Sequence, residues 1–316
     1  MISLDRILES HKKISPYINH TPLVHSDYLS KNRTVKLKLE SLQKTGSFKL
    51  RGATNKLLAL SDEQKNRGVI AVSTGNHGKG VAYASSLPGI KSTIYMSTMV
   101  PQYRKEAIEA LGANVEIYGA NSDEADLHAR EISKKENIPL IHPFDDEDVI
   151  AGQGTVGLEM LKDFPEVDTV IIPTSGGGLI GGIALALKLQ KPDIKVIAVS
   201  MERGPSMYES LKKGKPVDVE ELETLADCLG GSIGLENKFT FDIVKNSVDD
   251  FVLISEEKIA EGIRLNFTEH RLVTEGAAAT SVMVAKDNLS SHLGKNVICL
   301  ICGGNIDYKL FSEIIA

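Results

Sequence analysis

From Val69 onward the chain alternates short apolar runs with longer stretches whose apolar residues recur at helical spacing. The runs are VIAVS from Val69, STIYM from Ser92, NVEIY from Asn114 and IPLIH from Ile138, and each reads as a strand. Between them, Pro101 opens a helix in which Ile108 and Leu111 share a face before Gly112 ends it. Asn121 to Glu136 is a polar helix with Ala125 and Ala129 on one stripe. A second series supplies strands at TVIIP from Thr169, KVIAV from Lys195, DFVLI from Asp250 and VICLIC from Val297. Ahead of both, TVKLKLE from Thr34 alternates with period two, the signature of a strand. Strand and helix in repeated alternation predict an α/β protein of open, mostly parallel sheets flanked by helices. The break between the two series predicts two domains, a large one over 1–67 and 146–316 and a small one inserted over 68–145.

Composition narrows the function more than the fold. The 316 residues are 42% apolar and 25% charged, which excludes a disordered or fibrous chain. With 36 basic and 42 acidic side chains the net charge is −6, so no concentrated positive face is expected and nucleic acid is not an expected partner. The start, MISLDRILES, carries charge where a signal peptide has its apolar core, and no apolar run reaches the roughly 18 residues of a membrane span. A cytoplasmic protein without a membrane partner is expected. Cys228, Cys299 and Cys302 cannot close a disulfide framework, and the Cys299/Cys302 pair lies within one strand, where residues three apart face opposite ways. The acids Asp145, Asp146, Glu147 and Asp148 read as a solvated loop and helix start, and Lys212, Lys213 and Lys215 as a solvated turn.

Four motifs carry candidate chemistry, and each follows a predicted strand. Thr45 to Gly52 (TGSFKLRG) places Lys49 next to Phe48, and an amine in an apolar, aromatic setting loses ammonium solvation and becomes a nucleophile and base. Ser73 to Gly78 (STGNHG) offers backbone N–H groups, hydroxyls and an amide to an anion at a helix start. Ser175 to Gly182 (SGGGLIGG) lets the backbone wrap a phosphate, with a helix beginning at Leu179. Here a rival exists: Gly176, Gly178 and Gly181 satisfy G-x-G-x-x-G, and Glu202 is placed like a ribose-binding acid of a dinucleotide site. Cys302 to Asp307 (CGGNID) closes the last strand. In open parallel sheets ligands bind at the carboxyl ends of strands, so the four motifs converge on one site.

In this order the motifs resemble the fold-type II pyridoxal-phosphate enzymes of the threonine/serine dehydratase and serine racemase family, which are tryptophan synthase β-like in fold. The stretches LADCLGGSIGLEN from Leu225 and EHRLVTEGAAA from Glu269 are most similar to the hydroxyectoine-utilisation dehydratases. The resemblance implies pyridoxal 5'-phosphate as cofactor, held covalently by Lys49, which is also the catalytic residue. Phe48 then packs on the ring, Asn76 meets the ring hydroxyl oxygen, and Cys302 meets the pyridine nitrogen. Ser175, Gly176, Gly177, Gly178 and Leu179 cradle the phosphate, while Ser73, Thr74, Gly75, Asn76 and His77 hold the carboxylate of a small amino-acid substrate. The resemblance also implies a homodimer.

The expected activity is removal of water and then ammonia from a small β-hydroxy amino acid, leaving a 2-oxo acid. The alternatives are a serine or threonine racemase and, in another class, a catalytically silent ligand-binding protein. The chain departs from the family in three places. Cys228 stands where many relatives have glycine. Ser200, Gly204 and Ser206 occupy positions at which racemase-like relatives hold a divalent ion with acids, so no metal is expected. The chain ends soon after Asp307, so the C-terminal regulatory domain of biosynthetic threonine dehydratases is not expected.

Overall fold

A computed structural model describes residues 2–73 and 75–316, apart from the side chains of residues 122 and 123. Among the described residues nine strands form two sheets: β1 (Leu23–His25), β2 (Thr34–Leu39), β3 (Val69–Val72), β4 (Ser92–Met96), β5 (Asn114–Ile117), β6 (Thr169–Pro173), β7 (Lys195–Met201), β8 (Asp250–Ile254) and β9 (Asn296–Ile301). The larger sheet runs β1-β2-β9-β6-β7-β8 and the smaller β3-β4-β5. Every pairing is parallel except that of the edge strand β1 with β2. Among the described residues no helix is long and apolar enough to cross a membrane.

The predicted strands recur with small shifts, and the departures have local causes. The run from Ile138 makes only one bridge, Leu140 to Ile70, because Pro139 offers no N–H to a ladder. Its carbonyl and the Ile141 amide still pair with Ile70, at 2.9 and 2.8 Å. The alternation in β2 does not make a solvated face. Lys38 is fully buried, with Nζ donating to Glu159 and to the Thr21 carbonyl at 2.7 Å each. The acidic run is likewise committed rather than solvated. Asp146 caps the helix Glu147–Asp163 by accepting from the Asp148 and Val149 amides, and Asp145 accepts from the amides of Lys238, Phe239 and Thr240. Arg6 reaches Glu147 and Asp148, and Lys56 reaches Asp146 and Asp148.

The main core lies around β2, β9, β6 and β7, and a second one surrounds the small sheet. The helix Lys49–Ala59 belongs to both neighbourhoods. Leu50, Ala53 and Leu57 join Val69, Ile94 and Val115 in the second core, while Arg51 is buried against Glu40 and Glu159. Lys49, at the first turn of this helix, is therefore held from both sides.

Candidate active site

β2, β9 and β6 are adjacent and parallel, so the segments that follow them leave the sheet at the same edge. Those segments carry three of the four motifs, and the fourth follows β3 of the small sheet. Two motifs are stitched together directly: the Phe48 amide donates to the Cys302 carbonyl at 3.1 Å and the Gly304 amide to the Gly46 carbonyl at 2.9 Å. Gly303 between them faces the Glu275 carboxylate, which would have to shift to admit a Cβ there.

The cleft so formed has a volume of about 290 Å³. Phe48, Lys49, Ser73, Gly75, Asn76 and His77 line it, as do Ser175, Gly176, Gly177, Gly178, Leu179 and Cys302. Thr74 lies outside the described residues. Glu202, the acid of the rival dinucleotide reading, is exposed and is not part of this cleft.

The glycine loop ends in the helix Gly178–Lys188, with Gly177 at φ 87°. Among the described residues, the amides of Ser175, Gly176, Gly177, Gly178 and Leu179 have no acceptor. Five unsatisfied donors at a helix start form an anion cradle. Phe144 backs this loop closely enough that a Cβ at Gly176 or Gly178 would collide with it.

Lys49 donates from Nζ to the Pro143 carbonyl at 2.7 Å, with the Phe48 ring centroid 5.3 Å away. Burial lowers its pKa from 10.5 to about 8, against the opposing influence of Cys228, Cys302 and Glu275. A sizeable neutral fraction of this amine is therefore present near neutral pH. His77 Nε2 lies 2.8 Å from the Ile141 carbonyl, and burial, followed by the charge of Lys49, brings its pKa down to about 3. The ring is thus neutral and already occupied, which leaves its backbone as the part able to meet a carboxylate.

Glu275 carries no signal in the local motifs, yet it organises the floor of the cleft. Burial raises its pKa, opposed by the hydrogen bond from Asn76. Asn76 Nδ2 donates to both Glu275 oxygens at 2.9 and 3.0 Å, and the Cys302 thiol lies 3.9 Å from Oε1. Burial, then the charge of Glu275, pushes that thiol well above its ordinary pKa, so Cys302 stays neutral. Asn305, also missed, joins Asn76 Oδ1 at 2.6 Å to the Thr45 carbonyl at 2.9 Å. The only trace of Glu275 in the sequence is an acid directly ahead of the small-residue run Gly276 to Ala279.

Cys228 is exposed to the cleft, beside Asp227, whose carboxylate pairs with Arg104 across the two sheets at 3.0 Å. Ser200 and Ser206 use their hydroxyls on Met201 Sδ and the Gly231 carbonyl. No cluster of His, Cys, Asp and Glu arranged to hold a metal occurs among the described residues.

The chain is 43% identical to the Staphylococcus aureus L-threonine dehydratase catabolic TdcB over all of its own length and 92% of that protein. It is 42% identical to a putative threonine dehydratase of Sinorhizobium fredii, over 99% of this chain and 95% of the other. Among solved structures, maize serine racemase superposes with a TM-score of 0.93 at 32% identity, covering 98% of this chain and 96% of that one. The family model of pyridoxal-phosphate dependent enzymes matches residues 14–303. The residues present fit that cofactor: a desolvated amine for its aldehyde, five free amides for its phosphate, and a neutral thiol for its ring. An amine of lowered pKa facing an anion cradle across one cleft, within a chain matched over nearly its whole length, makes this protein a member of the fold-type II pyridoxal-phosphate-dependent enzymes.

Proposed function

We propose that the protein is a dehydratase and ammonia-lyase that converts a small β-hydroxy amino acid such as serine or threonine into a 2-oxo acid. The observation that carries this reading is Lys49, a buried amine with its pKa lowered to about 8 at the meeting point of the strand ends. Pyridoxal phosphate, when bound, supplies covalent attachment for the substrate amine and an electron sink for charge at Cα. Lys49 would hold the cofactor and, when free of it, would take the Cα proton, a role that its lowered pKa suits. The amides of Ser175, Gly176, Gly177, Gly178 and Leu179 would hold the phosphate. Phe48 would pack on the ring, and Asn76, tied to Glu275 and Asn305, would meet its hydroxyl oxygen.

Cys302, a neutral thiol, would offer the ring nitrogen only a weak hydrogen bond, an arrangement that would suit prompt loss of a β-hydroxyl. Ser73, Gly75 and the backbone at Asn76 and His77 receive the substrate carboxylate, and Thr74 is assigned there from the family resemblance alone. The small domain over 68–145, homodimeric assembly, a cytoplasmic setting and the lack of nucleic-acid, membrane and metal partners complete the reading. Borohydride reduction of the holoenzyme followed by peptide mapping tests it, with the adduct expected on Lys49. Production of 2-oxo acid and ammonia from serine or threonine, without accumulation of the opposite enantiomer, separates the dehydratase from a racemase. A protein that binds the cofactor but releases no product from either substrate overturns the reading.

A further inference from the structure

The charges around the cleft are not evenly matched. The phosphate cradle is built from backbone amides alone, so the cationic side chains of the cleft other than Lys49 are not needed there. Those cations are Lys79 and Arg104, both on the small-sheet side. Arg104 is paired with Asp227 at 3.0 Å. Lys79 has no acidic side chain within 4 Å of Nζ among the described residues, and its side-chain contact is a neutral one, the Asn305 carbonyl oxygen at 3.0 Å. It is half-buried, one helical turn beyond Gly75 on the helix Asn76–Ser86, whose start is the assigned carboxylate site. Burial lowers the Lys79 pKa, with the nearby charge of Arg104 adding to the effect and Glu275 opposing it. A cation held in such a place without a counter-charge destabilises the empty cleft and is relieved by an incoming anion. The substrate's own α-carboxylate is already met by the turn at Ser73 to His77, so this anion has to be a second one.

We propose that the cleft selects β-hydroxy amino acids with a second acid group, the 3-hydroxyaspartate class, with Lys79 meeting the distal carboxylate. Arg104 lines the same cleft and could share that charge when Asp227 gives way to it. The proposal rests on the dehydratase reading for its chemistry and on Lys79 for its selectivity. The reaction needs no oxidant. The Cα–H and Cβ–O bonds break, the hydroxyl leaves as water with a proton, and water then displaces ammonia, so that a hydroxylated amino diacid becomes a 2-oxo diacid plus ammonia.

Two measurements on the holoenzyme keep selectivity and chemistry apart. The first is spectroscopic titration with aspartate and with asparagine, which have nearly the same shape, lack the leaving hydroxyl and differ in the distal charge. Aspartate is expected to bind about tenfold or more tightly, a preference lost in Lys79→Gln and kept in Lys79→Arg. Equal affinity for the two ligands in the unmodified holoenzyme overturns the charge selectivity whatever the turnover results. The second measurement is the ratio of kcat/KM for 3-hydroxyaspartate to that for serine, followed by 2-oxo acid release. The ratio is expected to exceed one and to fall about tenfold or more in Lys79→Gln. A ratio below one, or one that Lys79→Gln leaves in place, overturns the substrate class. Tight aspartate binding with no 2-oxo acid from any β-hydroxy amino acid overturns the dehydratase reading and leaves the selectivity standing.

Discussion

Lys49 and Arg51 are two residues apart on one helix, both are cations withdrawn from water, and their environments are opposite. Arg51 is fully buried and donates to Glu40 at 2.8 and 2.7 Å and to Glu159 at 2.7 and 2.9 Å. Lys38 completes the cluster on Glu159, and Thr21 bonds Glu40. Burial works against the charge on Arg51, but Glu40 and then Glu159 outweigh it and raise the pKa; Glu159 is in turn held low by Arg51 and Lys38 against its own burial. Among the described residues Lys49 has no such carboxylate in hydrogen-bond reach and donates to the Pro143 carbonyl instead, and burial wins. Fully paired buried charge stays charged and fixes geometry, whereas underpaired buried charge shifts its proton equilibrium and becomes available for chemistry.

The widest separation between the two residues is expected in turnover. Lys49→Ala should lower kcat by roughly 10³-fold or more, because the group that holds the cofactor and moves the proton is gone. A variant that retains more than a few per cent of the parent rate would remove Lys49 from the chemistry and dissolve the contrast.

In stability the order reverses. Arg51→Met leaves Glu40 without its cation and Glu159 with Lys38 alone, and urea unfolding should show a loss of about 3–5 kcal/mol. Lys49→Met should show no such loss in the cofactor-free protein, since it removes a desolvated amine. The unfolded chain keeps the Lys49 proton up to pH about 10.5 and the folded chain only to about 8. The unfolded state therefore binds more protons between those values, and this residue's contribution to stability rises with pH across that window. Unfolding midpoints measured from pH 7 to 10.5 should carry that slope in the parent and lose it in Lys49→Met.

A smaller effect is expected at Glu275, the carboxylate that comes nearest to making the cleft resemble the paired cluster. Glu275→Gln should lower kcat by about 10- to 100-fold through loss of its hold on Asn76 and Cys302. Glu275 also acts to raise the Lys49 pKa, so without it the midpoint for modification of Lys49 by an amine reagent should move below about 8. An unmoved midpoint would mean that Glu275 is uncharged over the range measured.

The smallest effect distinguishes two changes at Cys302. Cys302→Ser keeps a neutral donor of similar volume and should retain activity within about threefold of the parent. Cys302→Asp sets a second carboxylate beside Glu275 and should eliminate more slowly, with more deuterium entering recovered substrate per 2-oxo acid formed. Equal behaviour of the two variants would reduce Cys302 to the residue that ends a core strand.

The legible parts of the protein are those in which neighbours along the chain determine the outcome. Strand periodicity located β3, β4, β6 and β8 closely, and Gly112 and Gly177 marked turns at φ 94° and 87°. The glycine loop and Lys49 were readable because backbone freedom and an apolar flank are local properties. The burial of Lys38 was not legible because its partners, Thr21 and Glu159, lie 17 and 121 residues away. Glu275 stayed hidden for the same reason, since Asn76, 199 residues distant, is what reveals its position.

By itself the sequence determined the α/β architecture, the order of the motifs and the chemical types available to the site. Only the tertiary structure decided which charges are paired. Chain spacing says nothing about the influence of Glu275 on Lys49, or about whether Lys79 meets an acid or an amide. In a desolvated interior, a partner a few ångströms away outweighs what stands next to a residue in sequence, and pairing alone makes Arg51 a structural element and Lys49 a reactive amine.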